Sequence, residues 1–159
     1  MSAQSASIDP ANRRRLTQAE LDAICARHDR LWQAKPGGAR AVFTWMDLSG
    51  LSLKGRNLTD ADFSAADMAG CDLTGTRLDN AVLFGADLQA ALLIEASHRR
   101  ADLRGACLRG ADLSGADLRR AVLVQADLSR AVLHGAQTRH AEFLAAQMHG
   151  VRGLVLDAE

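Results

Sequence analysis

Three pairs of basic side chains recur at twenty-residue intervals in this 159-residue chain: Arg99-Arg100, Arg119-Arg120 and Arg139-His140. Guanidinium groups in such a series hold carboxylates or phosphates through forked hydrogen bonds. They stay charged at neutral pH, so the chemistry they offer is recognition of anions rather than proton transfer. The other reactive side chains do not form a catalytic pattern. GxSxG, HExxH, P-loop and dinucleotide-binding signatures are missing from the sequence. The five histidines are dispersed, and Cys25, Cys71 and Cys107 have no CxxC spacing and leave an odd count. No enzyme activity, cofactor or metal is expected.

What positions these residues is a five-residue period. From Leu48 to Met148 a large apolar residue returns at every fifth place, and the unit around it reads Ala, Asp, Leu, a variable residue, then often Gly, as in Ala111-Asp112-Leu113-Ser114-Gly115. Only His98 and Thr138 interrupt the apolar centre. A period of five fits neither a helix nor a flat strand. Fixed-period self-similarity points instead to a solenoid, in which each unit buries its apolar face on its neighbours.

The A(D/N)LXX pattern resembles the pentapeptide-repeat family, found in bacteria. The resemblance implies a right-handed, four-sided β-helix of about five coils, with four units per coil, the central residue and the alanine pointing inward and the other three pointing out. Four-sidedness demands a twenty-residue period, and the last position of every fourth unit supplies one. Asp60, Asn80, Arg100, Arg120 and His140 form a column without glycine, whereas Gly55, Gly75, Glu95, Gly115 and Gly135 are nearly all glycine.

In that register the basic pairs stack on successive coils of one face, roughly 10 Å from first rung to third. The next face carries Val82 and Phe84, then Asp102 and Arg104, then Val122 and Val124. Apolar residues at normally polar, outward positions beside a basic column resemble a partner site. A second apolar group, Leu92, Ile94 and Val132, falls on the opposite face. The recurring aspartates, such as Asp47, Asp67, Asp87 and Asp127, read as acceptors for turn amides rather than acid–base pairs. Cys71 replaces an inward alanine and reads as a small core residue, and Cys107 replaces an outward aspartate. His98 admits a hydrogen-bonded neutral imidazole, a bulge that turns it outward, or a pH-sensitive weak point.

The chain divides into a flexible basic leader over 1–16, a helical cap and linker over 17–45, the repeats over 46–150 and a tail over 151–159. Thr17-Gln18-Ala19-Glu20 is a capping box, and Leu21, Ile24, Cys25, His28, Leu31 and Trp32 share one face of the helix it starts. Leu31, Trp32, Val42, Phe43 and Trp45 are the bulky residues expected to cover the first coil, since solenoid ends need caps. Leu154, Val155 and Leu156 in the tail would close the last coil or meet a second copy.

Nineteen basic residues balance nineteen acidic ones, which removes a strong field for nucleic acid or an anionic membrane. No membrane span or signal core is present, so a cytoplasmic protein is expected. The leading functional expectation is a non-enzymatic protein-interaction scaffold or regulator with a protein partner. The resemblance also implies an alternative, the topoisomerase-modulating DNA mimicry of the family's quinolone-resistance proteins. Mimicry requires strong negative charge, and the repeats carry thirteen acidic and eleven basic residues. Binding of an anionic ligand or nucleic acid by the arginines is a further alternative, weakened by the shortage of interleaved aromatics.

Overall fold

The repeat sequence solves a hydrogen-bonding problem one unit at a time, and Ala86–Ala90 shows how. The Ala86 N–H closes the preceding turn onto the Leu83 carbonyl at 3.0 Å. The Asp87 N–H reaches back to Ala66 O at 2.9 Å, and Leu88 and Ala90 donate forward to Cys107 O and Arg109 O at 2.7 and 2.9 Å. The fourth N–H, of Gln89, is taken by the Asp87 carboxylate at 2.9 Å. All five donors are satisfied without a long strand, which buried backbone requires. The fifth residue sits in the left-handed region, with φ of 55° at Ala90 and 63° at Gly110. That conformation explains the glycines, because a Cβ there is strained.

Repeated along the chain, this unit winds a solenoid. The computed structural model describes residues 12–156. Each second position bridges in parallel to the residue twenty further on, as in the column Val42, Asp62, Val82, Asp102, Val122, Glu142. Four such columns run the length of the repeats. Alanine and leucine fill the axis: Ala81, Leu83, Ala101 and Leu103 are wholly buried. Where the corner is polar the lumen still satisfies it. The Thr76 hydroxyl donates to Leu53 O at 2.9 Å and the Cys71 thiol to Leu48 O at 3.0 Å. Burial pushes the Cys71 thiol up to about 12.

The first bridged unit is Ala41–Trp45, one earlier than the boundary at 46. Ala41 and Phe43 occupy its corner and centre, and the Phe43 ring stacks on Phe63 at 4.8 Å. Helix α1 spans Gln18–Trp32 and opens with the expected capping box, Glu20 N–H to Thr17 Oγ1 and Thr17 N–H to the Glu20 carboxylate. Its buried face is Leu21, Cys25 and His28. Leu31, Trp32, Val42 and Trp45, expected to cover the coil, are exposed; Trp32 shares the face of Leu21, Cys25 and His28 but is the last residue of the helix, where its indole N–H donates to His28 Nε2 at 3.2 Å. The Ala41 N–H donates to His28 Nδ1 at 3.0 Å.

The open backbone edge of the first coil meets substitutes. Asp47 exchanges hydrogen bonds with Arg14 O and the Leu16 N–H, both at 2.9 Å, so residues 14–16 act as a rung. The Gln18 side-chain amide imitates a peptide group, accepting from the Ser52 N–H and donating to Ser52 O, each at 2.9 Å. The leader expectation for 1–16 falls largely on residues 1–11, outside the described residues. Arg13, Arg14 and Arg15, however, each have a partner in the folded chain. Arg15 pairs with Asp47 at 3.0 Å, Arg14 with Glu20 at 2.8 Å, and Arg13 approaches Asp67 at 3.9 Å and lies over the Trp45 ring. At the other end the last bridge joins Val132 to Arg152. Gly153 follows, where a Cβ would clash with the His134 ring.

His98 is the one histidine in the leucine column, between Leu78 and Leu118. It is neither bulged outward nor hydrogen-bonded: 1% of it is exposed, and neither ring nitrogen has a partner. Burial lowers its pKa to about 4, against the opposing pull of the Ala96 carbonyl, Asp79 and Asp117. The unfolded chain, with an ordinary value near 6.5, takes up a proton that the folded chain refuses. Stability from this group is therefore complete above about pH 6.5 and is lost as pH falls towards 4. The expected loss is about 3 kcal/mol across that window. Melting curves at pH 7.5 and 5 should show His98→Leu more stable than wild type and less pH-dependent, with a residue of the same sign from His28, whose pKa is also lowered by burial. Equal pH dependence in both proteins would refute this role.

Candidate functional site: the arginine face

Turn chemistry and ladder register together place the basic pairs. The second positions of one face bridge in the order Asn57, Arg77, Ser97, Asp117, Gln137. The fourth and fifth positions of the same units then stand beside one another in two outward columns. Arg99, Arg100, Arg119, Arg120, Arg139 and His140 line a single open groove of about 430 Å3. Arg100, Arg120 and His140 hold left-handed φ values of 58°, 61° and 60°, at places where other faces carry glycine.

The groove is unevenly neutralised. Arg119 forks onto Asp117, with Nε to Oδ1 at 2.9 Å and Nη2 to Oδ2 at 2.6 Å, while Arg99 approaches the same carboxylate at 3.9 Å. Burial pushes the Asp117 carboxyl up, but the Arg119 hydrogen bonds and charge leave it below the usual range. Asp79 accepts from the Arg99 N–H and the Ser97 hydroxyl. Arg100, Arg120 and Arg139 make no ion pair among the described residues. These three guanidinium groups are available to an outside anion.

The apolar residues are less continuous than their sequence spacing suggests. Val82 bridges to Asp102, which bridges to Val122, so a charged rung separates the valines. On that rung Arg104 pairs with Asp102 at 2.6 Å and lies 5.7 Å over the exposed Phe84 ring. Phe84 is therefore partly covered from within the chain. Val124, by contrast, is followed one coil on by Leu144, 75% exposed, on the face that follows the arginine face, with Glu142 between Leu144 and the last arginine rung. Leu144 escaped the sequence reasoning; its signal is an apolar fourth position twenty residues after Val124. Leu92, Ile94 and Val132 lie apart from the groove, with Asp112 bridged between Leu92 and Val132.

Apolar second positions forgo something. Ten units use an Asp or Asn there to take the fourth N–H. Val82 and Val122 cannot, and a hydrogen bond of this kind contributes about 1 kcal/mol.

The remaining reactive groups stay scattered. Cys107 is half-buried, and burial raises its pKa, which disfavours a reactive thiolate. Among the described residues no group of three His, Cys, Asp or Glu side chains gathers to hold a metal, and no helix is long and apolar enough to cross a membrane. Of the tail residues, Leu154 packs partly against the core, whereas Val155 and Leu156 are exposed. The Val155 carbonyl accepts from the Thr138 hydroxyl at 2.9 Å, which satisfies the second polar centre of the arginine face.

The chain is similar to several proteins of known structure. QnrB1, a plasmid-mediated fluoroquinolone resistance protein, in a trypsin-treated form, superimposes with a TM-score of 0.59 at 22% identity, covering 71% of this chain and 68% of its own. A pentapeptide repeat protein from the cyanobacterium Cyanothece matches at 22% identity over 75% of this chain and 92% of its own, with a TM-score of 0.39. HetL, a pentapeptide repeat protein involved in heterocyst differentiation regulation from the cyanobacterium Nostoc, matches at 26% identity over 71% and 70%, with a TM-score of 0.30. The QnrB1 likeness is one of fold. No curated protein matches the chain significantly. The pentapeptide repeats family profile matches in eight copies, in overlapping segments from residue 39 to residue 152. With the profile spanning most of its length, the chain belongs to the pentapeptide-repeat family.

Proposed function

We propose that this protein is a non-enzymatic interaction scaffold or regulator whose recognition surface is the arginine face. The observation that carries the reading is the convergence of six basic side chains on one groove, with the arginines Arg100, Arg120 and Arg139 making no ion pair among the described residues. Their backbone is set by the ladder, so they cost little reorganisation on binding, which favours affinity. The right-handed, four-sided, roughly five-coil form belongs to the same proposal. So does the duty of α1 and residues 13–16 as a cap over the first coil. Removing residues 1–40 would expose Phe43 and the open edge that Gln18 and Arg14 now satisfy. Size-exclusion chromatography is expected to show soluble aggregates of such a chain. A monomer with unchanged melting would mean that this segment is not a cap.

Imitation of DNA is disfavoured by the same groove. A mimic must lay negative charge along the rod, because phosphate-like charge sets the energetics of such binding. Here one whole face presents the opposite sign, and the chain as a whole is neutral.

Arg100→Glu combined with Arg120→Glu tests the surface better than a change at Arg119, which Asp117 holds. Outward substitutions of this kind shift stability by about 0.5 kcal/mol or less, whereas central interface arginines contribute about 2 kcal/mol or more. Capture of the native partner from the source cell should be lost at an unchanged melting temperature. Retained capture would move the site elsewhere, with the Leu92 and Ile94 face as the first place to look.

A further inference from the structure

Granting that the arginine face is the recognition surface, we infer that its occupant is an acidic amphipathic helix of a protein partner, lying along the rod axis with carboxylates on the arginine columns and apolar side chains on Val124 and Leu144. Spacing is the first support. Adjacent rungs stand about 4.8 Å apart, so the three rungs span about 10 Å. A helix rises about 1.5 Å per residue, and its positions i, i+3 and i+7 share one side over about 10.5 Å. Three carboxylates at those positions meet three rungs in turn. An extended strand repeats its same-side residues every 6.5 to 7 Å or so, and its third carboxylate overshoots the last rung by several ångströms.

Charge is the second support. The units from 76 to 140 on this face carry six arginines against two aspartates. Both flanking faces carry acidic residues, Asp102 and Glu142 on one side and Glu95 and Asp112 on the other. The basic stripe is thus one face wide. A helix of about 10–12 Å diameter fits such a stripe. Single-stranded nucleic acid also draws on interleaved aromatic side chains for stacking, and the six groove-lining residues include no Phe, Tyr or Trp, with His140 at one end the single ring among them. The third support is the pair Val124 and Leu144, stacked on successive coils and joined through the Gln125 N–H to Leu144 O bond at 2.9 Å. An amphipathic helix places an apolar stripe beside its acidic one.

A fluorescently labelled helical peptide of about 20 residues tests this, long enough to be stably helical on an alanine-rich background. It carries Glu at i, i+3 and i+7 and Leu at i+1, i+4 and i+8. Anisotropy at about 0.15 M salt is measured against a scrambled peptide of equal composition and an oligothymidine of similar length. The helix is expected to bind at least about tenfold tighter than either control, a difference of 1.4 kcal/mol. Arg100→Glu with Arg120→Glu should remove that preference, while Leu144→Ser should weaken binding without changing its salt dependence. Equal binding of the scrambled peptide, tighter binding of the oligothymidine, or no binding by the helix each overturns the inference. If the peptide fails while the same charge reversal abolishes capture of the native partner, the surface stands and the occupant is wrong. If capture survives the reversal, the surface itself is wrong.

Discussion

Everything in this molecule depends on the parallel ladder that ties each unit to the residues about twenty positions before and after it. Each five-residue unit has five N–H groups. In units such as Ala86–Ala90 two donate forward to the next coil, one donates back, one closes the corner, and one goes to the second-position carboxylate of the same unit. Buried backbone groups left unpaired are costly, so a shift of even one residue would break every coil at once. The repeat motif follows from this constraint. Alanine is the residue that fits at the corner, leucine fills the axis, aspartate serves the fourth N–H, and the fifth place tolerates whatever can bear a left-handed φ.

A backbone specified this way is indifferent to its outward side chains, and that indifference makes a recognition surface available. Residues at the fourth position and, at some strain, the fifth can vary without moving the ladder. Arg100 and Arg120 occupy strained places without an internal ion pair, and Val82 and Val122 forgo a local hydrogen bond. None of these four choices serves the coil.

Much of this was legible in the chain because the information is local and repeated. The centres, the corner alanines, the Asp-to-amide bonds and the stacking of Arg99, Arg119 and Arg139 all follow from register. The capping box at Thr17 and Glu20 was legible for the same reason. What escaped is long-range or singular. Ala41–Trp45 hides its membership because Val42, Thr44 and Trp45 replace the usual residues, and its pairing with Asp62 reveals it. The docking of Arg13 and Arg15 rests on aspartates more than thirty residues away. The exposure of Leu31 and Trp32 depends on where α1 meets the coil. The interruption of the apolar column by Arg104 over Phe84 depends on a side-chain pairing that register cannot supply.

The central claim is that residues twenty apart on this face stand directly over one another, and cross-linking measures it most directly. A disulfide needs Cα atoms about 4.4–6.8 Å apart, a window that contains the rung spacing of about 4.8 Å. Arg100→Cys with Arg120→Cys should close an intramolecular disulfide on mild oxidation. Arg100→Cys with Gln125→Cys, which sets the second thiol one face further round, should stay reduced. Oxidation of the second pair in preference to the first, or of both alike, would contradict the twenty-residue register and with it the arginine face.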